Sequence, residues 1–241
     1  ERFETDTRWG MVTKIDLSER PFRVEIDEKT NVIADTVIIA TGASAKWLGI
    51  EDEKRLNGYG VSACATCDGF FYKGMDVVVV GAGDTAAEEA TYLAKLCNKV
   101  TMLVRKSEMR ASKAMQKRVF NTSNLEVMFN HETKSINGEP GEIGVEGVTA
   151  VNNLTGAETI IPAKGFFVAI GHTPNTSLFK GQLDMDDNGY LIIEAGTSKT
   201  KIDGVFAAGD VADHVYRQAV TSAGTGCMAA LDAERFLASQ E

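Results

Sequence analysis

The chain has 241 residues, 44% of them hydrophobic, and a formal net charge of −9 at pH 7. A chain of this length and apolar content can bury a substantial core, and we predict two domains rather than one. The acidic balance argues against a nucleic-acid-binding surface, because phosphate binding needs clustered lysine and arginine. Every apolar run is shorter than a membrane-crossing helix, so we predict no membrane insertion.

Three short apolar runs, residues 36–42, 166–171 and 205–210, end in small residues and glycine. Continuous apolar runs of this length are typical of strands that are buried on both faces of a sheet. Glycine at the end of such a strand allows close approach to the backbone. The runs therefore predict buried strands of an α/β fold, and their repetition suggests two related nucleotide-binding domains.

Cys64 and Cys67 are separated by two residues, so a disulfide between them would close a small ring. Such sites tend to lower the pKa of one thiol, which makes the disulfide switchable. A structural zinc site usually needs a second pair of ligands, whereas Cys97 and Cys227 stand alone, and we predict that these two pack as small apolar side chains. A permanent structural disulfide remains an alternative, and we favour redox use.

Residues 77–104 are expected to form a parallel crossover unit: a buried strand, a glycine turn, a helix over 85–97 and a second strand over 100–104. The turn has the pattern Gly-x-Gly-x-x-Ala, which combines a tight turn, close approach to a pyrophosphate and close helix–strand packing. The free N–H groups of the helix N-terminus favour the anion. A glycine turn without a ligand is the alternative. The predicted dinucleotide-binding residues are Gly81, Gly83, Asp84, Thr85 and Ala86.

Arg105, Lys106 and Arg110 follow the second strand, where an acidic residue would indicate an unphosphorylated ribose. Three cations suit a 2′-phosphate, so we predict NADPH rather than NADH, with an ordinary solvated surface as the alternative. A hydride carries two electrons at once, whereas disulfides are reduced through thiolates, and a flavin normally mediates between the two. A flavin site is therefore expected as well.

Two later segments have clear patterns. Residues 125–162 alternate polar and β-branched residues and contain several glycines, which predicts short strands in an antiparallel meander. Residues 219–237 are alanine-rich and predict a helix, in which Gly224 and Gly226 would permit close packing. The histidines lie in different segments without ligand spacing, so we predict surface or packing roles and no metal for His131, His172 and His214.

Two stretches carry a resemblance to a known family: residues 61–72, Val-Ser-Ala-Cys-Ala-Thr-Cys-Asp-Gly-Phe-Phe-Tyr, and residues 204–220, Gly-Val-Phe-Ala-Ala-Gly-Asp-Val-Ala-Asp-His-Val-Tyr-Arg-Gln-Ala-Val. They resemble the low-molecular-weight, bacterial-type thioredoxin reductases, and the similarity runs essentially from end to end. The resemblance implies two Rossmann-like domains of the pyridine nucleotide-disulfide oxidoreductase type. It assigns residues 1–47 and 167–241 to a discontinuous FAD-binding domain, and residues 48–166 to an NADPH-binding domain that carries the cysteine pair.

The resemblance also implies the cofactors, the partner and the setting. They are FAD and NADPH, a thioredoxin as protein substrate, and a cytoplasmic homodimer with no nucleic-acid or membrane partner. The NADPH domain would rotate relative to the FAD domain about two connections, near residues 47–49 and 169–173. The cysteines and the nicotinamide would then reach the flavin in turn.

Asp68 directly follows Cys67, and each turnover must protonate a leaving thiolate, so we predict Asp68 as the general acid or base. A turn aspartate before Gly69 is the alternative. By resemblance Cys67 lies nearest the flavin and Cys64 is its exchange partner, with the thiol that attacks thioredoxin left open. Tyr216 either approaches the flavin or packs in a core. The flavin contacts implied by resemblance are Thr41, Gly42, Ala43, Gly209, Asp210, Arg217, Gln218 and Ala219.

The sequence departs from the family pattern in two respects. Val104 and Lys106 stand where a histidine and an arginine are common. The family begins with a strand and a Gly-x-Gly-x-x-Gly turn for the FAD pyrophosphate, and this sequence starts after that point. We therefore expect an FAD domain that is incomplete at its N-terminus, whether the chain is a fragment, part of a longer chain or a truncated gene product.

The main prediction is an NADPH-dependent flavoprotein that reduces the disulfide of thioredoxin through Cys64 and Cys67. One alternative is a reductase of another dithiol protein. The other, from a different functional class, is an NADPH-binding fragment that holds no flavin and does not turn over.

Overall fold

The computed structural model describes residues 5–141 and 144–240, and it divides into two units. Unit 1 contains Glu1–Ser44 and Thr173–Glu241, and unit 2 contains Ala45–His172. No helix among the described residues combines the length and apolar character that crossing a membrane requires. The strands are β1 Val12–Asp16, β2 Phe22–Ile26, β3 Thr30–Ala34, β4 Val37–Ile39, β5 Ala43–Ala45, β6 Val61–Ser62, β7 Asp76–Val80, β8 Lys99–Val104, β9 Leu125–Phe129, β10 His131–Glu139, β11 Gly144–Asn152, β12 Glu158–Pro162, β13 Gly165–Val168, β14 His172–Pro174 and β15 Val205–Ala207. The α-helices are α1 Glu51–Arg55, α2 Ala65–Asp68, α3 Asp84–Leu93, α4 Lys113–Phe120 and α5 Ala219–Ala238, with 3₁₀ turns at Gly69–Tyr72, Ser177–Phe179 and Gly209–Val211.

Unit 2 is built around a five-stranded parallel sheet in the order β6-β13-β7-β8-β9. Successive side chains of a strand point to opposite faces of its sheet. In β7, Val77 and Val79 pack with the buried side chains of α3, whereas Val78 and Val80 pack with those of β10 and β11. The sheet therefore lies between a helical layer and the antiparallel sheet β10-β11-β12, which explains the continuous apolar run.

The crossover unit predicted for residues 77–104 is confirmed, with a shorter helix than expected. Helix α3 ends at Leu93, and the side-chain amide of Asn124 donates to the carbonyl oxygens of Ala94 and Cys97 at 2.9 and 3.2 Å. These two carbonyl oxygens therefore have hydrogen-bond donors although the regular helix ends before them. Cys97 is buried as predicted, and burial raises the pKa of its thiol to about 11.

The meander predicted over residues 125–162 is correct for β10, β11 and β12 and wrong for β9. Strand β9 joins the parallel sheet beside β8, because Leu125, Val127 and Phe129 pack against the core that α3 also covers. The pairing of β10 with β11 shifts register between Asn137 and Gly138. A Cβ at Gly138 would lie 2.0 Å from a backbone oxygen of β11, which explains glycine at this irregularity.

Unit 1 contains an antiparallel meander, β1-β2-β3, and a parallel pair, β4 with β15. The apolar runs at 36–42 and 205–210 thus form neighbouring strands. The predicted burial is confirmed for β15, whereas Ile38 of β4 is 42% exposed, because no described residue covers that face of the strand. Ile39 and Val205 lie in a core shared with Leu17 and Phe22. The C-terminal end of β15 leads into the turn Gly209–Val211 and then into the loop before α5.

Helix α5 confirms the predicted C-terminal helix but not its packing. Its buried residues are Ala229 and Ala233, which contact the core around Phe206. A Cβ at Gly224 or Gly226 would meet no described atom within 4 Å, so the prediction of close packing at these glycines was wrong. Cys227 is exposed, which contradicts its predicted role as a buried apolar side chain. The reason is that α5 buries only the face that carries Ala229 and Ala233.

Candidate functional site

Cys64 and Cys67 form a disulfide at the start of helix α2, with their Cα atoms 5.3 Å apart. Cys64 is the N-cap residue, and its sulfur accepts a hydrogen bond from the backbone N–H of Cys67 at 3.2 Å. Cys64 is half-buried and Cys67 is exposed. The predicted pairing is therefore confirmed, and one of its sulfurs lies at the surface, where disulfide exchange requires it.

Asp68 lies at the end of helix α2, next to Cys67 in sequence. The hydroxyl of Ser62 donates to Asp68 Oδ2 at 2.6 Å and accepts from the backbone N–H of Cys64 at 3.0 Å. Ser62 therefore connects the Asp68 carboxylate to the backbone of the disulfide loop. Ser62 is buried, and no sequence motif identifies it, because only the fold brings its hydroxyl to Asp68. The Asp68 carboxylate also affects Tyr72, since burial raises the pKa of the Tyr72 hydroxyl and the nearby carboxylate raises it further.

Two aromatic side chains extend into solvent beside the disulfide helix. Phe70 is 69% exposed and Phe71 is 71% exposed, both in the turn that follows α2. The next residue, Tyr72, packs edge-on against Phe167 at 5.3 Å between ring centroids and anchors the turn to the sheet. Adjacent exposed phenylalanines are unfavourable in water, so they mark a surface that suits an apolar partner.

A cleft of about 680 Å³ opens in unit 2 at the carboxyl end of β7. In an open α/β sheet, ligands bind beyond the carboxyl ends of the strands, and this cleft lies there. Most of the residues predicted to bind NADPH line this cleft, namely Gly81, Gly83, Thr85, Arg105, Lys106 and Arg110. The other two predicted residues, Asp84 and Ala86, are not part of its lining.

The two glycines of the motif are required for different reasons. Gly81 has φ +150°, and a Cβ there would lie 2.4 Å from the carbonyl oxygen of Ala169 and 2.7 Å from the Cβ of Ala86. Gly83 has φ −89°, and a Cβ there would meet nothing within 4 Å. Gly81 thus allows close packing, whereas no protein atom explains Gly83. Its open backbone fits close approach by a ligand.

Asp84 acts within the protein by fixing the next loop. Its Oδ1 accepts from the backbone N–H of Ser112 at 2.9 Å, and hydrogen bonds from the Ser112 backbone and side chain lower the pKa of the Asp84 carboxyl. In the same loop, Arg110 N and Ala111 N donate to the carbonyl of Ala82 at 2.8 and 2.9 Å. These bonds hold the backbone that carries Arg110 against the glycine motif.

The cleft also contains residues from β10 that the sequence analysis did not assign to it. His131, Glu132 and Thr133 line the wall, and the Nδ1–H of His131 donates to the carbonyl of Phe129 at 2.7 Å. The side-chain amide of Asn153 donates to the carbonyl of Arg105 at 2.7 Å. The order of strands brings these residues to the basic strand end, and no local motif could have identified them.

In unit 1, the Gly209–Asp210 turn is fixed to the first turns of α5. The hydroxyl of Ser222 donates to Asp210 Oδ1 at 3.0 Å, and the backbone N–H of Gly209 donates to Thr225 Oγ1 at 2.9 Å. Gly209 has φ +73°, and a Cβ there would lie 3.2 Å from the Ser222 hydroxyl. A left-handed backbone and a close helix both favour glycine at this position.

The segment before α5 brings together Arg217, Gln218 and Ala219. Arg217 has φ +48°, and Gln218 forms a capping box with Thr221 at the start of the helix. Tyr216 is 67% exposed, so the alternative that it packs in a core was wrong. The three residues therefore lie at the N-terminus of a 20-residue helix, where the helix dipole favours electron-rich groups.

Thr41 and Gly42 are tied to Asn175, which the sequence analysis did not single out. The side-chain amide of Asn175 donates to the carbonyl of Thr41 at 2.9 Å, and the Thr41 hydroxyl donates to the carbonyl of Asn175 at 2.7 Å. Gly42 has φ +70° and faces open space, so a ligand could approach its backbone. Ala43 follows as the first residue of β5.

The histidines occupy three separate surroundings. His131 lies in the cleft, and His172 begins β14. His214 is exposed, with Nδ1 3.9 Å from Asp186 Oδ2 and its ring 5.7 Å from that of Tyr190. Among residues 5–141 and 144–240 there is no group of three or more histidine, cysteine, aspartate or glutamate side chains arranged to hold a metal ion.

Comparisons with known proteins agree on one family. Residues 2–226 match the family model described as pyridine nucleotide-disulphide oxidoreductase. A thioredoxin reductase of Rickettsia conorii is 52% identical over 226 residues, which are 94% of this chain and 73% of the relative. A thioredoxin reductase of Streptomyces clavuligerus is 48% identical over 99% of this chain and 73% of the relative.

Solved structures give the same result. A thioredoxin reductase from Giardia duodenalis is 46% identical with a TM-score of 0.90, covering 96% of this chain and 75% of that one. One from Streptococcus pyogenes is 35% identical with a TM-score of 0.92, covering 99% of this chain and 76% of that one. The expected fold class, an α/β pyridine nucleotide-disulfide oxidoreductase fold, is therefore confirmed. The absence of an N-terminal FAD-binding unit stays a prediction.

Proposed function

The chain belongs to the thioredoxin reductases of the pyridine nucleotide-disulphide oxidoreductase family, and on that premise we propose that it reduces the disulfide of thioredoxin with electrons from NADPH. The observation that carries this proposal is the Cys64–Cys67 disulfide, with Cys67 at the surface of the unit that also contains the glycine-motif cleft. Unit 2 is the proposed NADPH-binding domain and unit 1 the proposed FAD-binding domain, close to the division at residues 47–48 and 166–167 expected from the sequence.

The cleft residues have distinct proposed roles toward NADPH. The backbone of Gly83 and the first turn of α3, with Thr85, would receive the pyrophosphate, because nothing in the protein occupies the space beside Gly83. Arg105, Lys106 and Arg110 would contact the 2′-phosphate. Asp84 would contribute through Ser112, which holds the Arg110 loop, and Ala86 by its close contact with Gly81.

The residues of unit 1 fit a flavin. FAD, when bound, supplies the two-electron relay between nicotinamide and thiols. The Asp210 carboxylate, oriented by Ser222, can accept from ribityl hydroxyls. Gly42, between Thr41 and Ala43, gives a flavin room to approach the backbone, because nothing lies within 4 Å on its Cβ side. Arg217, Gln218 and Ala219 lie at the helix end that favours negative charge.

The cysteine pair accounts for the chemistry on thioredoxin. Two electrons and two protons convert the Cys64–Cys67 disulfide into two thiols. One thiolate then attacks the thioredoxin disulfide and forms a mixed disulfide, and the second thiolate displaces the reduced thioredoxin and restores the Cys64–Cys67 bond. Asp68 would hold and return the proton that each leaving thiolate needs, with Ser62 fixing the position of its Oδ2.

A spectroscopic titration tests the proposal. Purified protein supplied with FAD should show a bound flavin spectrum that bleaches when NADPH is added without oxygen, followed by reduction of thioredoxin. A colourless protein that binds NADPH and reduces neither thioredoxin nor the artificial disulfide DTNB would instead support the nucleotide-binding alternative. Reduction of another dithiol protein in preference to thioredoxin would change the substrate. We also propose, from the family alone, a cytoplasmic homodimer, which sedimentation and cell fractionation would test.

The basic strand end gives a prediction for cofactor choice. Replacing both Arg105 and Arg110 with alanine should raise the Kd for NADPH about 10- to 100-fold, because charged hydrogen bonds to the 2′-phosphate are lost. The Kd for NADH should change by less than about threefold, since NADH lacks that phosphate. Fluorescence titration of both nucleotides measures the difference. The double variant Lys117→Ala/Arg118→Ala also removes two positive charges, from the exposed face of α4, and is the control. Equal losses for the two nucleotides would contradict the assignment.

The exposed phenylalanines give a prediction for the protein substrate. Replacing Phe70 and Phe71 with alanine should raise the KM for thioredoxin by about tenfold or more, since large aromatic side chains dominate many interfaces. Reduction of DTNB should stay within about twofold, because a small acceptor needs only the sulfurs. Leu154→Ala, at a 75% exposed position of the same unit, is the matched control. An unchanged KM would show that thioredoxin binds elsewhere.

A further inference from the structure

The loop between Val211 and α5 is organised around a single carboxylate. Asp213 Oδ1 accepts from the backbone N–H groups of Val215 and Tyr216 at 2.9 and 2.8 Å. Its Oδ2 accepts from the backbone N–H of Arg217 at 3.1 Å and from the hydroxyl of Thr221 at 3.3 Å. One side chain therefore holds three consecutive backbone donors and the first turn of the helix that follows.

Polar contacts contribute more than apolar packing to holding this loop in place. Val215 is 60% exposed and Tyr216 is 67% exposed, so their side chains contribute little buried surface. Arg217 has φ +48°, a left-handed conformation that costs free energy for a residue with a Cβ. The Arg217 guanidinium also donates to the carbonyl of His214 within the same loop. Local polar bonds, rather than packing, thus determine the course of the backbone here.

Thr221 connects the carboxylate to the helix. The backbone N–H of Gln218 donates to Thr221 Oγ1 at 3.3 Å, and the Thr221 hydroxyl also lies 2.8 Å from the carbonyl of Gln218. Thr221 is thus bonded both to the N-cap residue of α5 and to Asp213. Displacement of Asp213 would therefore change the backbone at Arg217, which Asp213 binds directly, and at Gln218, which Asp213 reaches through Thr221.

We propose that Asp213 is a positioning residue for the flavin: it fixes the segment Arg217–Gln218–Ala219 in its flavin-binding conformation before the flavin arrives. The inference rests on the proposed function, in which this segment contacts FAD. A binding segment that is already ordered does not have to be ordered on association, so preorganisation increases affinity. Asp213 itself need not touch the flavin, since its oxygens are directed to the backbone of its own loop.

The burial and charge of Asp213 fit this role. Burial by itself would raise the pKa of the Asp213 carboxyl, but the hydrogen bonds from the backbone of Tyr216, Val215 and Arg217 and from Thr221 lower it below its ordinary value. The carboxylate is therefore ionised at neutral pH, and an ionised acceptor forms the strongest hydrogen bonds to N–H groups.

Asp213→Asn tests the proposal without changing the size of the side chain. The new amide places N–H groups opposite the backbone N–H of Arg217, so that bond is lost. Before flavin is added, hydrogen exchange at the backbone amides of 215–217 should accelerate by about tenfold or more. In the presence of flavin, the Kd for FAD should rise by about tenfold or more, and the absorbance bands of the bound flavin should shift. The Kd for NADPH should remain unchanged.

Two further variants make the result decisive. Thr221→Val keeps Asp213 but breaks its link to the helix, and it should weaken FAD binding in the same direction. Asp187→Asn removes the same charge from an exposed position of unit 1 and should change neither exchange nor affinity. Unchanged exchange in Asp213→Asn would overturn the proposal, as would an unchanged Kd for FAD. A wild-type protein that binds no FAD would overturn the proposed function, and the exchange measurement would still decide whether Asp213 holds the loop.

Discussion

Replacing Cys67 with serine should lower thioredoxin reduction by on the order of 10⁴-fold or more, the scale on which enzymes lose activity without a nucleophile. Serine cannot form the Cys64–Cys67 bond, so the pair can neither accept two electrons nor return them to a partner disulfide. Cys64→Ser should have the same effect, because each sulfur is needed in both half-reactions. Bleaching of bound flavin by NADPH should persist in both variants, since that step does not involve the thiols.

Stopped-flow absorbance and a thioredoxin assay separate the two halves of the reaction. Cys227→Ser is the matched control: this cysteine is exposed, has no part in the proposed chemistry and should leave the rates unchanged. Sustained thioredoxin reduction by a Cys64→Ser/Cys67→Ser double variant would contradict the mechanism. Loss of flavin bleaching together with loss of thioredoxin reduction would mean that the substitution had damaged the fold rather than the chemistry.

Alanine at Gly81 should destabilise the protein strongly, whereas alanine at Gly83 should leave its stability nearly unchanged. At Gly81 the new methyl group would lie 2.4 Å from a backbone oxygen, at φ +150°, so the free energy of unfolding should fall by roughly 2–4 kcal/mol. At Gly83 the methyl group meets open space at an ordinary φ of −89°, so the free energy of unfolding should stay within about 0.5 kcal/mol of wild type.

The two variants should be separated by nucleotide affinity as well. Gly83→Ala should raise the Kd for NADPH by about tenfold or more despite its normal stability, because the methyl group stands between the backbone and the pyrophosphate. Urea unfolding and fluorescence titration measure the two quantities on the same samples. Normal NADPH affinity in Gly83→Ala would contradict the assignment of the cleft. Normal stability in Gly81→Ala would contradict its close packing against Ala169.

The features that could be predicted from the sequence are those whose chemistry depends on neighbours along the chain. The two-residue spacing of Cys64 and Cys67 is sufficient for a disulfide, and the glycine motif requires only a strand before it and a helix after it. The apolar runs of β7 and β15 are continuous because both faces of these strands are buried. Such features are determined by local spacing, so a single sequence is enough.

Pairing between distant segments was decided by the tertiary structure alone. Strand β9 has the alternation of a meander strand, yet its apolar side chains are covered by the core beside α3, and it therefore joins the parallel sheet. The small residues of α5 predicted close packing, but the helix buries only the face that carries Ala229 and Ala233. Gly224 and Gly226 therefore have no close neighbour on their Cβ side, and Cys227 is exposed.

The supporting residues of the candidate sites belong to the same category. Ser62 is recognised only through its bond to Asp68, and Asn175 only through its bonds to Thr41, 134 positions away. A polar side chain forms hydrogen bonds with whichever groups the fold brings near it, and no local sequence pattern encodes those distant partners. The sequence by itself therefore determined the redox pair, the nucleotide motif and the family, whereas only the tertiary structure decided which side chains hold them in place.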